Sequence, residues 1–146
     1  MCLVNTTHMP KPYTGSAIRY CLVQRHPKGG YRPLMSIGQR YQVGRRSKAR
    51  RLQFRKVGWT GGQIVRGMNF SPSAGFGVFL TREDAERAAR VWFNGHLALI
   101  AEVRVENLMV EGQTKTMLGF LPAERWEYRT ILRVEDLKTG EVIESE

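Results

Sequence analysis

No Asp or Glu occurs among the first 82 residues of this 146-residue chain, which carry fifteen Lys and Arg; the first carboxylate is Glu83. Residues 83–146 reverse the balance, with eight Lys and Arg against thirteen Asp and Glu. The net charge of +10 is therefore the sum of a strongly basic half and a mildly acidic one. The first half cannot neutralise itself. Every ion pair its cations make has to reach into residues 83–146 or outside the chain. Packing selects apolar volume and is indifferent to charge sign, so the bias records what this half touches, and a dense polyanion is the partner that fits it.

Length and composition set the frame for that reading. The expectation is a single domain over residues 1–146, divided in charge but not in fold into an acid-free half, 1–82, and an acidic half, 83–146. With 42% hydrophobic and 25% charged residues the chain has the material for a packed core. No apolar run approaches the roughly 18 residues of a membrane span, so no membrane partner is expected. The start Met1-Cys2-Leu3-Val4-Asn5 lacks a charged leader before a long apolar stretch, which implies a cytoplasmic protein whose Cys2 and Cys21 remain thiols.

Local pattern divides the chain into strands and one helix. Residues 1–16, with Pro10, Pro12 and Gly15, read as an irregular arm. Ala17–Gln24 is rich in strand formers, and Pro27-Lys28-Gly29-Gly30 supplies a turn into a hairpin partner at 31–36. Tyr41–Val43 reads as a further short strand; the period of the residues between Gly44 and Gly58 fits helix and strand alike. Gly58–Gly77 reads as a long ordered loop. Thr81, with Asp84 three residues on, marks a helix start. Ala85, Ala88, Ala89 and Trp92 then share one face to about residue 93, and Asn94-Gly95 ends the helix. Alternation over 97–106 and again over Glu127–Glu135 predicts two half-buried strands. In the second, Tyr128, Thr130, Leu132 and Val134 lie on one face, with Arg129 and Arg133 on the other. Lys138-Thr139-Gly140 makes a turn before a final strand or tail. The fold class is α+β, a mostly antiparallel sheet with one well-defined amphipathic helix at about residues 82–93.

The densest chemical feature is the run Arg40, Arg45, Arg46, Lys48, Arg50, Arg51, Arg55 and Lys56, set around Tyr41, Leu52 and Phe54, with Trp59 and Arg66 just beyond it. Like charges at this density repel until a polyanion neutralises them, and phosphate contacts release condensed counterions. Two other readings stand beside it: a solvated face that folds back onto Glu124, Glu127, Glu135 and Asp136, and a patch that meets an acidic protein surface. Trp59, Phe54 and Phe70 are candidate stacking rings, although most aromatics belong to cores. No close carboxylate pair and no phosphate-cradling Gly-Lys-Ser/Thr ending occur. Cys2, His8, Cys21 and His26 lack the close thiolate pair of a zinc motif. Neither metal nor cofactor is expected. Removal of Met1 would expose Cys2 as an N-terminal nucleophile, but Leu3 stands where such enzymes continue in glycine, and an apolar Cys-Leu-Val run more often opens a strand.

Two resemblances follow from these motifs. Ala74-Gly75-Phe76-Gly77-Val78-Phe79, then Glu83–Ala88 and Asn94-Gly95, is similar to the third strand and second helix of an RNA-recognition motif, a family whose Gly-aromatic-Gly-aromatic strand stacks bases. It departs from that family in having Ala74 for a basic residue, in one missing aromatic after Gly77, and in a shorter strand-to-helix step. Met1–Val4, Tyr20 and the block Gly75–Ala85 resemble small proteins of bacteria and their phages to which no activity is assigned. Relatives of that kind often carry His where this chain has Gly77. That resemblance implies a bacterial cell or a phage-infected host.

The sequence thus points to a small basic, non-catalytic nucleic-acid-binding protein that contacts mainly phosphates of DNA or RNA. The contacting residues would be Arg40, Arg45, Arg46, Lys48, Arg50, Arg51, Arg55, Lys56, Trp59 and Arg66. The alternative is a phage-encoded inhibitor or accessory protein that docks on an acidic surface of a host protein or ribonucleoprotein. An enzyme acting through Cys2 ranks behind both.

Overall fold

A computed structural model describes residues 3–33, 39–49, 75–93, 98–117 and 119–146. Two long strands frame it. β5 (Leu99–Thr116) and β6 (Gly119–Asp136) form an antiparallel hairpin whose register runs from Leu99 opposite Asp136 to Thr116 opposite Gly119. Both strands are far longer than the alternating stretches 97–106 and 127–135. Their added halves meet around the turn at Met117, where Thr116 Oγ1 donates to the Gly119 carbonyl at 2.8 Å.

The free edge of β5 is covered by β1 (Leu3–Arg25), paired from Leu3 opposite Thr114 to Val23 opposite Leu99. Residues 1–16 were expected to form an irregular arm; from Leu3 onward they are strand. The punctuation misleads because the pairing slips three times, between Val4 and Thr7, His8 and Tyr13, and Tyr13 and Ser16. Pro10 and Pro12 fall inside the second slip, where no residue is matched with β5 and a missing N–H costs no ladder bond. Asn5, at φ 51°, takes the left-handed conformation within the first. Across from it Gly112 is closely approached: a Cβ there would lie 3.0 Å from the Val4 carbonyl oxygen.

β2 (Tyr31–Pro33) completes a hairpin with Val23–Arg25. Its turn needs glycine at Gly30, at φ +71°, where a Cβ would stand 2.6 Å from the Tyr41 carbonyl oxygen. Instead of a strand at 41–43, two isolated bridges tie this segment down: Tyr41 to Tyr31, and Val43 to Ile131. β3 (Arg46–Lys48) then pairs with Tyr128–Thr130, and β4 (Phe76–Phe79) with Ala123–Trp126. Phe76 and Gly77, read as the end of a loop, are thus strand. β4 also meets β1 at Tyr20 opposite Phe79, so the pairings β1–β5–β6–β4–β1 close into a ring. β7 (Val142–Ser145) adds to Arg133–Glu135 after the expected turn, in which the Asp136 carboxylate accepts the N–H groups of Lys138 and Thr139 at 2.8 and 3.0 Å.

α1 (Arg82–Phe93) starts where its cap predicts, with Thr81 Oγ1 accepting the Asp84 N–H at 3.2 Å. Ala85, Ala88 and Ala89 are fully buried against Leu22, Phe79, Ile100 and Leu121 on the outside of the ring. Small residues at this spacing let the helix lie close to the sheet. The side chain of Trp92 and the stop Asn94-Gly95 lie outside the described residues. A second core fills the inside of the ring, from Cys21, Val23, Tyr31, Val78, Ala101, Val103, Val105, Trp126, Ile131 and Val134. The architecture is a mostly antiparallel sheet with one helix among the described residues, broadly α+β. No helix there is long and apolar enough to cross a membrane.

Candidate nucleic-acid interface

Four of the basic residues singled out in the sequence are described: Arg40, Arg45, Arg46 and Lys48. All four are solvent-exposed. Arg50, Arg51, Arg55, Lys56, Trp59 and Arg66 lie outside the described residues, as do Phe54, Phe70 and Cys2. Of the four carboxylates set against the basic run in the sequence, Glu124, Glu135 and Asp136 are occupied elsewhere, while Glu127 acts on Arg46 through its charge. Glu124 accepts from Arg19 Nε at 2.7 Å and from Trp126 Nε1 at 3.1 Å. Glu135 binds Arg82 and, at 2.8 Å, Arg133. Asp136 caps its own turn, and Glu127 accepts from Asn107 Nδ2 at 3.5 Å. Among the described residues, Arg40, Arg45 and Lys48 have no carboxylate within ion-pair distance.

Arg46 is the exception, and its partner is one the sequence did not suggest. Nε and Nη2 donate to Glu106 Oε1 and Oε2 at 3.3 and 2.9 Å, a two-pronged pair. The guanidinium also lies 3.7 Å from the centre of the Tyr128 ring, with Lys48 Nζ 5.9 Å from the same ring. Pairing places these groups: Lys48 stands opposite Tyr128, and Tyr128 opposite Glu106. One step along, Arg46 faces Thr130 and Thr130 faces Arg104, which is exposed. The outer face of β3, β6 and β5 therefore carries Arg46, Lys48 and Arg104 around a half-buried tyrosine. The Arg46 side chain is 53% exposed, so one plane rests on the ring and the other is open.

Arg40 belongs to a second group. Its Nη1 donates to the Lys28 carbonyl at 2.9 Å, which holds it against the β1–β2 turn beside His26. Lys28 itself and Arg25 are exposed there. His26 Nδ1 accepts the Lys28 N–H at 3.0 Å. Partial desolvation, then the charges of Arg40, Arg32 and Lys28, hold its imidazole below the usual histidine range.

The inner face departs from the sequence reading. Arg129, assigned to an outward polar face, is only 5% exposed, while Tyr128 and Leu132 are half-buried. The cause is a bulge: Glu102 pairs with Arg133 but Val103 with Ile131, which leaves Leu132 unmatched and shifts the alternation. Phe76 and Phe79, the rings of the RNA-recognition-like strand, are 8% and 1% exposed. They are core side chains in this chain. Cys21 is buried and its thiol is pushed up by that burial, against the lowering influence of Arg129.

Tyr128, Arg104 and Arg129 were not legible as site residues. For the first two the signal is pairing across strands, which no spacing within one segment reveals. No family model, no curated protein and no solved structure matches this chain.

Proposed function

We propose that this protein binds nucleic acid through phosphate contacts, with the outer face of β3, β6 and β5 as the seat of binding. The observation that carries the reading is the exposure of Arg45 and Lys48, free of carboxylates among the described residues, beside an Arg46 stacked on Tyr128. Glu106 pairs with Arg46 on this face, while Glu124, Glu135 and Asp136 are committed to other partners. Arg40, Lys28 and Arg25 form a second positive group at the hairpin turn. The open plane of Arg46 is a platform on which an unpaired base stacks, as bases do on arginine planes in single-strand recognition. Phosphate contacts and stacking on a guanidinium plane carry no base identity, so the expected binding is general in sequence.

The test is a salt titration with single-stranded and duplex probes of equal length. The expected result is a log affinity that falls linearly with log salt; Arg45→Glu with Lys48→Glu flattens the slope by about 2, one for each lost phosphate contact. An affinity indifferent to salt, or unchanged by the double charge reversal, overturns the proposal. A single saturable protein partner captured after nuclease treatment, with no binding to either probe, would show that the same cations face an acidic protein.

A further inference from the structure

Arg129 is a buried cation for which this chain provides no anion. A guanidinium cannot shed its proton inside a protein, so burial leaves it charged, and buried charges are stable only when paired. All thirteen Asp and Glu are among the described residues, and none lies within the 4.0 Å of an ion pair with Arg129. What surrounds the group is softer. Nη1 donates to Cys21 Sγ at 3.7 Å, a weak bond. The guanidinium carbon lies 4.4 Å from the Phe76 ring centre and 4.6 Å from that of Tyr41, two rings set edge to face 5.6 Å apart. Among the described residues, Nη2 is buried with no hydrogen-bond partner. Cys21 does not supply the missing charge, because burial keeps its thiol protonated.

We infer that Arg129 anchors an internal anion site, which takes the oxyanion group of a small ligand, a carboxylate or a phosphate, on its unpartnered Nη2. The way in is past Tyr41. Among the described side chains named against the guanidinium, Cys21 and Phe76 are buried and Tyr41 is partly exposed. Tyr41 is held by its two backbone bonds to Tyr31, at 2.7 and 2.8 Å, and by its hydroxyl on Gln39. An isolated bridge of this kind moves without unzipping a strand. The aromatic pair excludes water from the group and strengthens a single charge-assisted bond at its centre. This site is separate from the outer basic face and does not depend on its function.

The experiment is thermal unfolding of wild type and Arg129→Met in inorganic phosphate and in acetate, with ionic strength held constant by chloride. The wild-type midpoint is expected to rise with one of the two anions, by roughly 3 to 6 °C at tenfold excess over Kd, and to keep rising with the logarithm of its concentration. The anion that acts identifies the class of ligand. Arg129→Met is expected to show no anion-dependent rise, and to be at least as stable as wild type in chloride alone because a lone buried charge has been removed. Arg45→Glu with Lys48→Glu keeps the full rise, which separates this site from the outer face. If Arg129→Met fails to fold, the wild-type Arg129 side-chain N–H resonances decide: a saturable shift with the same anion supports the site. No rise of the wild-type midpoint with either anion beyond that in chloride, or an equal rise in Arg129→Met, overturns it.

Discussion

Arg19 and Glu124, 105 residues apart in sequence, meet at 2.7 Å inside the ring of strands. The contact ties the acid-free half of the chain to the acidic half. Glu124 also takes the Trp126 indole N–H, and the Arg19 guanidinium lies 5.9 Å from the Trp126 ring centre. Glu124 is 6% exposed, so removing its partner strands a charge in the core. Arg19→Ala and Glu124→Ala are each expected to lower stability by about 3 kcal/mol, at the lower end of the range for a broken buried pair because Arg19 is partly exposed. Replacing both residues with Met should recover most of the loss. Urea unfolding of the three variants measures this; a double variant no more stable than the singles would show that the pair is not the source of the cost.

The start of α1 makes a simpler prediction. Thr81 Oγ1 holds the Asp84 N–H, and the helix buries three alanines immediately downstream. Thr81→Ala is expected to cost about 1 kcal/mol and Thr81→Ser almost nothing, since the serine hydroxyl makes the same bond. Chemical denaturation with circular dichroism at the helix band checks both.

The start of this helix and its buried alanines were legible in the sequence because their signals are local: a cap, an i, i+3, i+4 set of alanines and acidic residues in the first turn. The strands were legible where strand formers, turn residues or alternation marked them, but their full length and facing were not. β1 was hidden from Leu3 to Ser16 because its prolines occupy a slip in register, which looks identical to a loop when no partner strand is known. Arg129 was placed on the wrong face for the same kind of reason. The bulge at Leu132 shifts every side chain beyond it, and it exists only in the pairing with β5. The charge asymmetry was plain from the start, but the use of Glu106 on Arg46, 60 residues away, depends on two strands lying side by side. The half of the basic run from Arg50 to Arg66 lies outside the described residues, and the fold adds nothing to its sequence reading.

Close approach of backbones sets a third expectation. A Cβ on Gly112 would lie 3.0 Å from the Val4 carbonyl oxygen and 3.1 Å from Thr6 Cγ2. Backbone cannot retreat from that contact without loosening the pairing of β1 with β5. Gly112→Ala is expected to destabilise by about 1 to 3 kcal/mol, with faster amide hydrogen exchange confined to the first residues of β1. Unchanged exchange there would show that β1 yields at no cost.

On the outer face, Tyr128 carries Arg46 rather than contacting phosphate itself. Tyr128→Leu keeps the strand but removes the ring under the guanidinium. If the open plane of Arg46 stacks a base, affinity for a single-stranded probe is expected to fall about tenfold, or about 1.4 kcal/mol, while affinity for a duplex of the same length changes little. Equal losses on both probes would assign the ring a purely structural part.

The turn at His26 links binding to pH. Its folded pKa lies below the ordinary histidine value, so between the two the unfolded chain binds more protons than the folded one. Stability therefore rises with pH through a window just below about 6.5 and is lost as pH falls through it. His26→Ala should flatten that slope in a plot of Tm against pH. The depression comes from partial desolvation first and then from Arg40, Arg32 and Lys28. An anionic backbone laid across those cations offsets their charge, and it should raise the imidazole pKa toward or above its ordinary value. Proton NMR of the His26 ring, titrated with and without an oligonucleotide, reads this directly. The expected result is an upward shift on binding, together with tighter binding at pH 6 than at pH 8 by a margin that His26→Ala abolishes. A pKa that does not move in the presence of saturating oligonucleotide would place the bound phosphates away from this turn and confine the interface to the face around Arg46 and Lys48.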